Sequence, residues 1–146
     1  MKKWIISICV VLIMGIVMCF VLHVDECDTN GAELEILLNG DEGIIDFYIE
    51  DSKVYIIANV PIKNNTEHNL EYRIIGKSEK DYERGLLKEP TMRGYDESLS
   101  DEIFKIGPHE TKKYNTVIFV GEHGESTTKA DRLIPLISVE IIERKE

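Results

Sequence analysis

From Trp4 to Leu22 the chain runs for 19 residues without a charge. A helix of that length, rising about 1.5 Å per residue, matches the ~30 Å hydrocarbon core of a bilayer. Twelve of the 19 are Ile, Leu, Val or Phe, which at roughly −0.3 to −0.6 kcal/mol each sums to about −4 to −7 kcal/mol in favour of insertion, before Ser7 and Gly15 subtract. The run is longer than the ~7–15 apolar residues typical of a cleavable signal, and no A-x-A-like site follows it closely. Met18 precedes Cys19 and Glu26 precedes Cys27, so neither cysteine follows the small residue that lipidation needs. The expectation is therefore a retained signal anchor over residues 1–24, in contact with membrane lipid through residues 4–22. Lys2 and Lys3 precede the span and no Lys or Arg occurs from 25 to 44, which predicts a cytoplasmic N-terminus and an extracellular C-terminal domain. Trp4 suits an interfacial position, and Gly15 with Cys19 has the spacing of a close helix contact, although small residues are also simply tolerated in lipid. A pilin-like head is disfavoured because the span carries no glutamate.

Beyond the span, residues 25–31 (DECDTNG) read as a linker and residues 32–146 as one domain, since 122 residues suffice for a single core and hardly for two. With two lysines ahead of the span, the exterior part keeps 15 basic against 27 acidic residues, a net charge of −12. That field repels phosphate backbones and argues against nucleic acid as a partner. Cys9 and Cys19 lie in the apolar run, so Cys27 is the one exterior thiol, and the domain must be held by its core and not by internal disulfides. Cys27 is placed where it can pair with a second chain in an oxidising compartment or remain free in the linker.

Period-two alternation sets the fold class. In AELEILL, Leu34, Ile36 and Leu38 share a face opposite Glu33 and Glu35. IIDFYIE (44–50) and VYIIANVPIK (54–63) flank Asp51-Ser52-Lys53 as a hairpin. Pro61 has no N–H to donate, which predicts a bulge or a sheet edge there. LEYRII, IFKI, TKKYNTVIFV and LIPLISVEII continue the pattern, separated by NNTEHN, Gly107-Pro108 and GEHGE. Between residues 77 and 102 the strand signal lapses. Ser78 with Asp81, and Ser98 with Asp101, have helix-capping spacing, and RGLLKEP (84–90) is compatible with a short strand. The sum is an all-β antiparallel sandwich of about seven strands.

Asn64, Asn65 and Thr66, followed later by Phe104, Ile106, Pro108, Glu110, Thr111, Val117 and Phe119, form the pattern N-N-T … F-x-I-x-P-x-E-T leading into V-x-F. This resembles the small immunoglobulin-like domains of Gram-positive envelope proteins. The resemblance covers about half the exterior part. It implies an immunoglobulin-like sandwich in which the first group turns the chain at a strand end and the second packs apolar residues between sheets, with binding or accessory roles. The Cys-Trp-Cys trio of antibody-type domains is absent from the sequence.

Catalytic motifs are weak. His123 lies between Glu122 and Glu125 in GEHGES, where a histidine beside carboxylates can act as base or metal ligand. The two glycines explain the turn without chemistry, and no H-E-x-x-H or C-x-x-C accompanies it. His68 and His109 lie in other turns, Ser126 is outside a G-x-S-x-G motif, and Asp96, Glu97, Asp101 and Glu102 lack the ligand spacing of a calcium loop. The Asn64-Asn65-Thr66 sequon matters only in a eukaryotic secretory route. No catalytic, cofactor-binding or metal residue is therefore assigned. The expectation is a membrane-anchored extracytoplasmic binding or accessory module, not an enzyme, with an envelope or membrane protein as partner. The alternative is a small metal-assisted hydrolase built on His123, Glu122 or Glu125, and His109.

Overall fold

The computed structural model describes residues 32–39 and 43–145; the expected anchor (1–24) and linker (25–31) lie outside them. Among the described residues no helix is long and apolar enough to cross a membrane. The described part is all-β, with ten strands in two antiparallel sheets. The strands are β1 (Leu34–Ile36), β2 (Asp46–Glu50), β3 (Lys53–Asn59), β4 (Ile62–Asn64), β5 (Asn69–Lys77), β6 (Thr91–Tyr95), β7 (Phe104–Ile106), β8 (Thr111–Lys112), β9 (Thr116–Glu122) and β10 (Leu136–Lys145). One short helix, α1 (Glu79–Glu83), follows β5. The larger sheet runs β10-β5-β6-β9-β3-β2, with β7 beside the first half of β5, and the smaller runs β1-β4-β8.

The segment from Val54 to Asn64 ties the sheets together. Val54, Ile56, Ala58, Val60, Ile62 and Asn64 are all fully buried, so the two-residue alternation survives the bend at Pro61 that carries the chain from β3 in one sheet to β4 in the other. The facing chain makes the same crossing with one extra residue: Asn59 pairs with Thr116, whereas Ile62 pairs with Lys112. Such a bulge is how strands turn a corner between sheets. Two asparagines satisfy the backbone there. Asn59 Nδ2 donates to Lys113 O (3.1 Å) and Asn115 Nδ2 to Val60 O (3.0 Å), while Asn115 N donates to Asn59 Oδ1 (2.7 Å). The bulge expected at Pro61 thus falls on the opposite chain.

This corner also explains the strand number. The expected strands 54–63 and 111–120 are each split in two, and β6 is added inside the segment where the strand signal lapses. Only Met92 and Gly94 of β6 face the core, and a glycine contributes no apolar signal. A Cβ on Gly94 would lie 2.9 Å from Ile74 O and 3.0 Å from a Val117 methyl, so close packing of β6 on β5 and β9 excludes any side chain there. The segment 84–90 is not a strand. It delivers Leu86 and Leu87 to the core, held by hydrogen bonds from both amides to Asp81 O and from Gly124 N to Leu86 O. β2 and β3 form the expected hairpin, closed by Asp51 and Ser52 with φ of 47° and 59°, the left-handed pair of a type I′ turn.

The core joins Leu70, Tyr72 and Ile74 of β5, Val117 and Phe119 of β9, Phe104 and Ile106 of β7, and Ile62 of β4, with Leu34 and Ile36 packed against it. Tyr72 and Phe104 stack at 5.6 Å between centroids. Burial, with the nearby charge of Glu110 adding to it, pushes the Tyr72 phenol far above its usual range.

Candidate interaction face

The face of the larger sheet that points away from this core has its own pattern. Reading across the strands by register, one row runs Tyr48, Tyr55, Val120, Arg93, Ile75, Ser138. The next begins Asp46, Ile57, Ile118, Tyr95 and includes Arg73 and Glu140 further across. Tyr48 and Tyr55 stack at 4.6 Å with their planes 10° apart, as a directly opposed cross-strand pair can. Partial burial raises the pKa of the Tyr48 phenol, and Tyr55, Glu50 and Asp46 add to the shift. The β2–β3–β9 side of this face is therefore apolar and aromatic, while the β5–β6 side is charged.

The loop from Asp96 to Ile103 leans over the boundary between the two sides. Leu99 adopts φ 57°, is 40% exposed, and lines a hollow of about 160 Å³ with Tyr55, Tyr95, Val120 and Lys53. Holding a leucine in the left-handed region costs about 1–2 kcal/mol, which the loop's own hydrogen bonds offset. Asp96 accepts from Ser98 Oγ (2.8 Å), Ser100 N (3.2 Å) and Asp101 N (3.4 Å). These bonds, Ser98 foremost, hold the Asp96 carboxyl below the usual carboxylate range. The paired spacing of Ser98 and Asp101 thus marks a turn gathered around Asp96, not a helix start. A group with a depressed folded pKa stabilises above its unfolded pKa and loses that contribution as pH falls. The Ser100 and Asp101 amides are therefore expected to lose hydrogen-exchange protection as pH drops below about 4, while the β5 and β9 amides keep theirs. Equal loss in loop and strands would contradict this role.

Behind the loop, Glu102 lies 3.5 Å from Arg73 and 3.4 Å from Arg93. Together with Glu140 these residues line a groove of about 280 Å³. The pairs are solvent-exposed and hold the arginines in place more than they stabilise the fold.

The residues singled out from sequence take structural positions. His123 donates its backbone N–H to Ser52 O (2.9 Å), and its Nε2 lies 3.1 Å from Ser126 O. Glu122 ends β9 opposite Lys53, and His109 pairs with Glu67 at 3.1 Å. Among the described residues no group of three or more His, Cys, Asp or Glu is placed to hold a metal. Asn64 is a staple: its Nδ2 donates to His68 O and Gly107 O (2.8 Å each), and its Oδ1 accepts from Thr66 N (2.9 Å) and Thr66 Oγ1 (2.8 Å). With both amide hydrogens engaged and the residue fully buried, the sequon is closed to modification in the folded chain.

One cluster was not singled out as a unit in the sequence. Lys129 Nζ donates to Asp81 Oδ2 (2.9 Å) and Asp131 Oδ1 (3.1 Å), with the Lys129 and Asp81 side chains only 4% and 2% exposed. Ser78 Oγ donates to the same Asp81 oxygen (2.5 Å), and Arg84 lies 3.6 Å from Asp131. Burial pushes the Asp131 carboxyl up, but the Lys129 hydrogen bond, the Leu133 N–H and Arg84 outweigh it and leave the group lowered. The network locks α1 to the long segment that leads into β10. Of its members only the Ser78 and Asp81 spacing was visible in advance, because Lys129 lies 48 residues from Asp81.

No protein-family model, curated protein or solved structure matches the chain.

Proposed function

We propose that the chain is a membrane-anchored extracytoplasmic binding or accessory module, with an immunoglobulin-like sandwich held outside the membrane by the span at residues 4–22. The observation that carries this reading is the outer face of the larger sheet. Tyr48, Tyr55, Tyr95 and Leu99 sit half-exposed beside Arg73 and Arg93, and tyrosine and arginine are the side chains enriched where proteins meet. The +/− pairing around Glu102 keeps both guanidinium groups oriented for a partner's carboxylates or carbonyls. The partner that fits is a protein surface in the same envelope or membrane.

A photo-crosslinking residue at position 48, in cells that keep the anchor, is expected to give one discrete adduct. The adduct should fade in a Val120→Lys background, which charges the middle of the apolar rows. The same residue at position 114, which is 93% exposed at the corner between the sheets, should give no such adduct. Absence of a discrete adduct at position 48, or one indifferent to Val120→Lys, removes the support for this reading.

A further inference from the structure

The larger sheet ends on one side in β10, a ten-residue strand bonded to β5 along nine register pairs. Its other side pairs with no strand among the described residues. Open edges are normally blunted by charge, proline or a bulge. The opposite edge, β2, follows that rule, since it is five residues long and begins and ends with Asp46 and Glu50. β10 is blunted only at its ends. Pro135 precedes it, and a bulge between Ile141 and Glu143 is followed by Glu143, Arg144 and Lys145. Between these lies Leu-Ile-Ser-Val-Glu-Ile (136–141), with one charge. Leu136 is 76% exposed and Ile142 41%. Ile137, Val139 and Ile141 turn inward against the core but remain partly open.

The geometry points to β10 as the contact between two copies of this chain, joined antiparallel about a two-fold axis at Val139. In an antiparallel strand, outward-pointing N–H and C=O groups belong to every second residue. A two-fold axis through a residue pairs odd positions with odd and even with even, so outward groups meet outward groups. This register sets Ile137 against Ile141 of the second copy and Val139 against its own counterpart, which continues the core side across the junction. On the outer side, Ser138 meets Glu140 of the second copy, and Leu136 comes to the bulge that carries Ile142, the other exposed aliphatic residue of the strand. Neighbouring axes are poorer. An axis at Ser138 sets Leu136 against Glu140, and one at Glu140 opposes the two Glu140 carboxylates directly, which is destabilising. A second copy is favoured over a foreign strand because this stretch complements itself. The inference rests on the strand edge and not on the Tyr and Arg face, which lies across the strands and meets this edge at Ser138 and Glu140, where its rows reach β10.

The test uses the full chain in detergent under reducing conditions, so that Cys27 cannot link copies, with mass followed by light scattering over a concentration series. The wild type is expected to pass from monomer to dimer. Ser138→Glu places two like-charge pairs across the axis and should weaken dimerisation about tenfold. Ser138→Glu with Glu140→Lys turns both into opposite-charge pairs and should restore it, while Glu140→Lys alone should resemble the wild type. A monomeric wild type overturns the inference. So does a dimer unaffected by Ser138→Glu, which would place the contact elsewhere, or a double variant that fails to recover.

Discussion

Replacing Lys129 with methionine is expected to cost the exterior domain about 3–5 kcal/mol, because it strands a buried charge instead of merely removing a contact. Asp81 is 1% exposed, its Oδ2 takes both the Lys129 ammonium and the Ser78 hydroxyl, and its Oδ1 has no hydrogen-bond partner among the described residues. Without the ammonium, that carboxylate must take up a proton, admit water or release α1. Urea denaturation of residues 32–146, whose contacts form a unit of their own from Glu33 onward, measures the loss. The double replacement Asp81→Leu with Lys129→Met should recover most of it, since well-packed apolar side chains can substitute for a buried ion pair at little net cost. A Lys129→Met domain within about 0.5 kcal/mol of wild type, the range of an ordinary surface change, would mean that the network is not a structural lock.

The second large effect is expected at Asn64. Asn64→Asp keeps the shape but exchanges two donors for acceptors that face the His68 and Gly107 carbonyls. Setting an acceptor against those carbonyls and burying a carboxylate should cost about 3–5 kcal/mol near neutral pH. The sign of its pH dependence follows from the same contacts. The two carbonyls favour the protonated acid, so the folded pKa of the new group lies above its unfolded value of about 4. The variant should therefore sit closest to wild type below that pH and lose ground as pH rises. Thermal unfolding at pH 3.5 and pH 7 checks this; a wild-type-minus-variant gap that does not widen with pH would show that the buried amide is not the hinge pin between the 64–68 and 107–110 turns.

These two sites also show what was legible beforehand. Alternation exposed the strands wherever one face carries branched or aromatic side chains, as in Val54 to Ile62 and Val117 to Phe119, because burial of one face is what the two-residue period records. It failed at Thr91–Tyr95, where glycine fills half the inward positions, and it could not mark the break at Pro61, because inward residues continue through that bend, or the one at 113–115, which holds no glycine or proline. The Asn64 to Thr66 turn is legible in its residue types, but its staple depends on Gly107, 43 residues away. The lock at Lys129 and the rows from Tyr48 to Arg93 arise from contacts between segments distant in sequence and carry no local signal. His123 drew attention through its neighbours in sequence, yet its ring is engaged by the carbonyl of Ser126.

The central claim, an acidic β domain carried outside the membrane on a span that is kept, is tested most directly through Cys27. In intact cells, a thiol reagent that cannot cross membranes should modify Cys27 on a full-length chain found in the membrane fraction. Modification that occurs only after lysis, or a product in the medium that lacks its first two dozen residues, would contradict it.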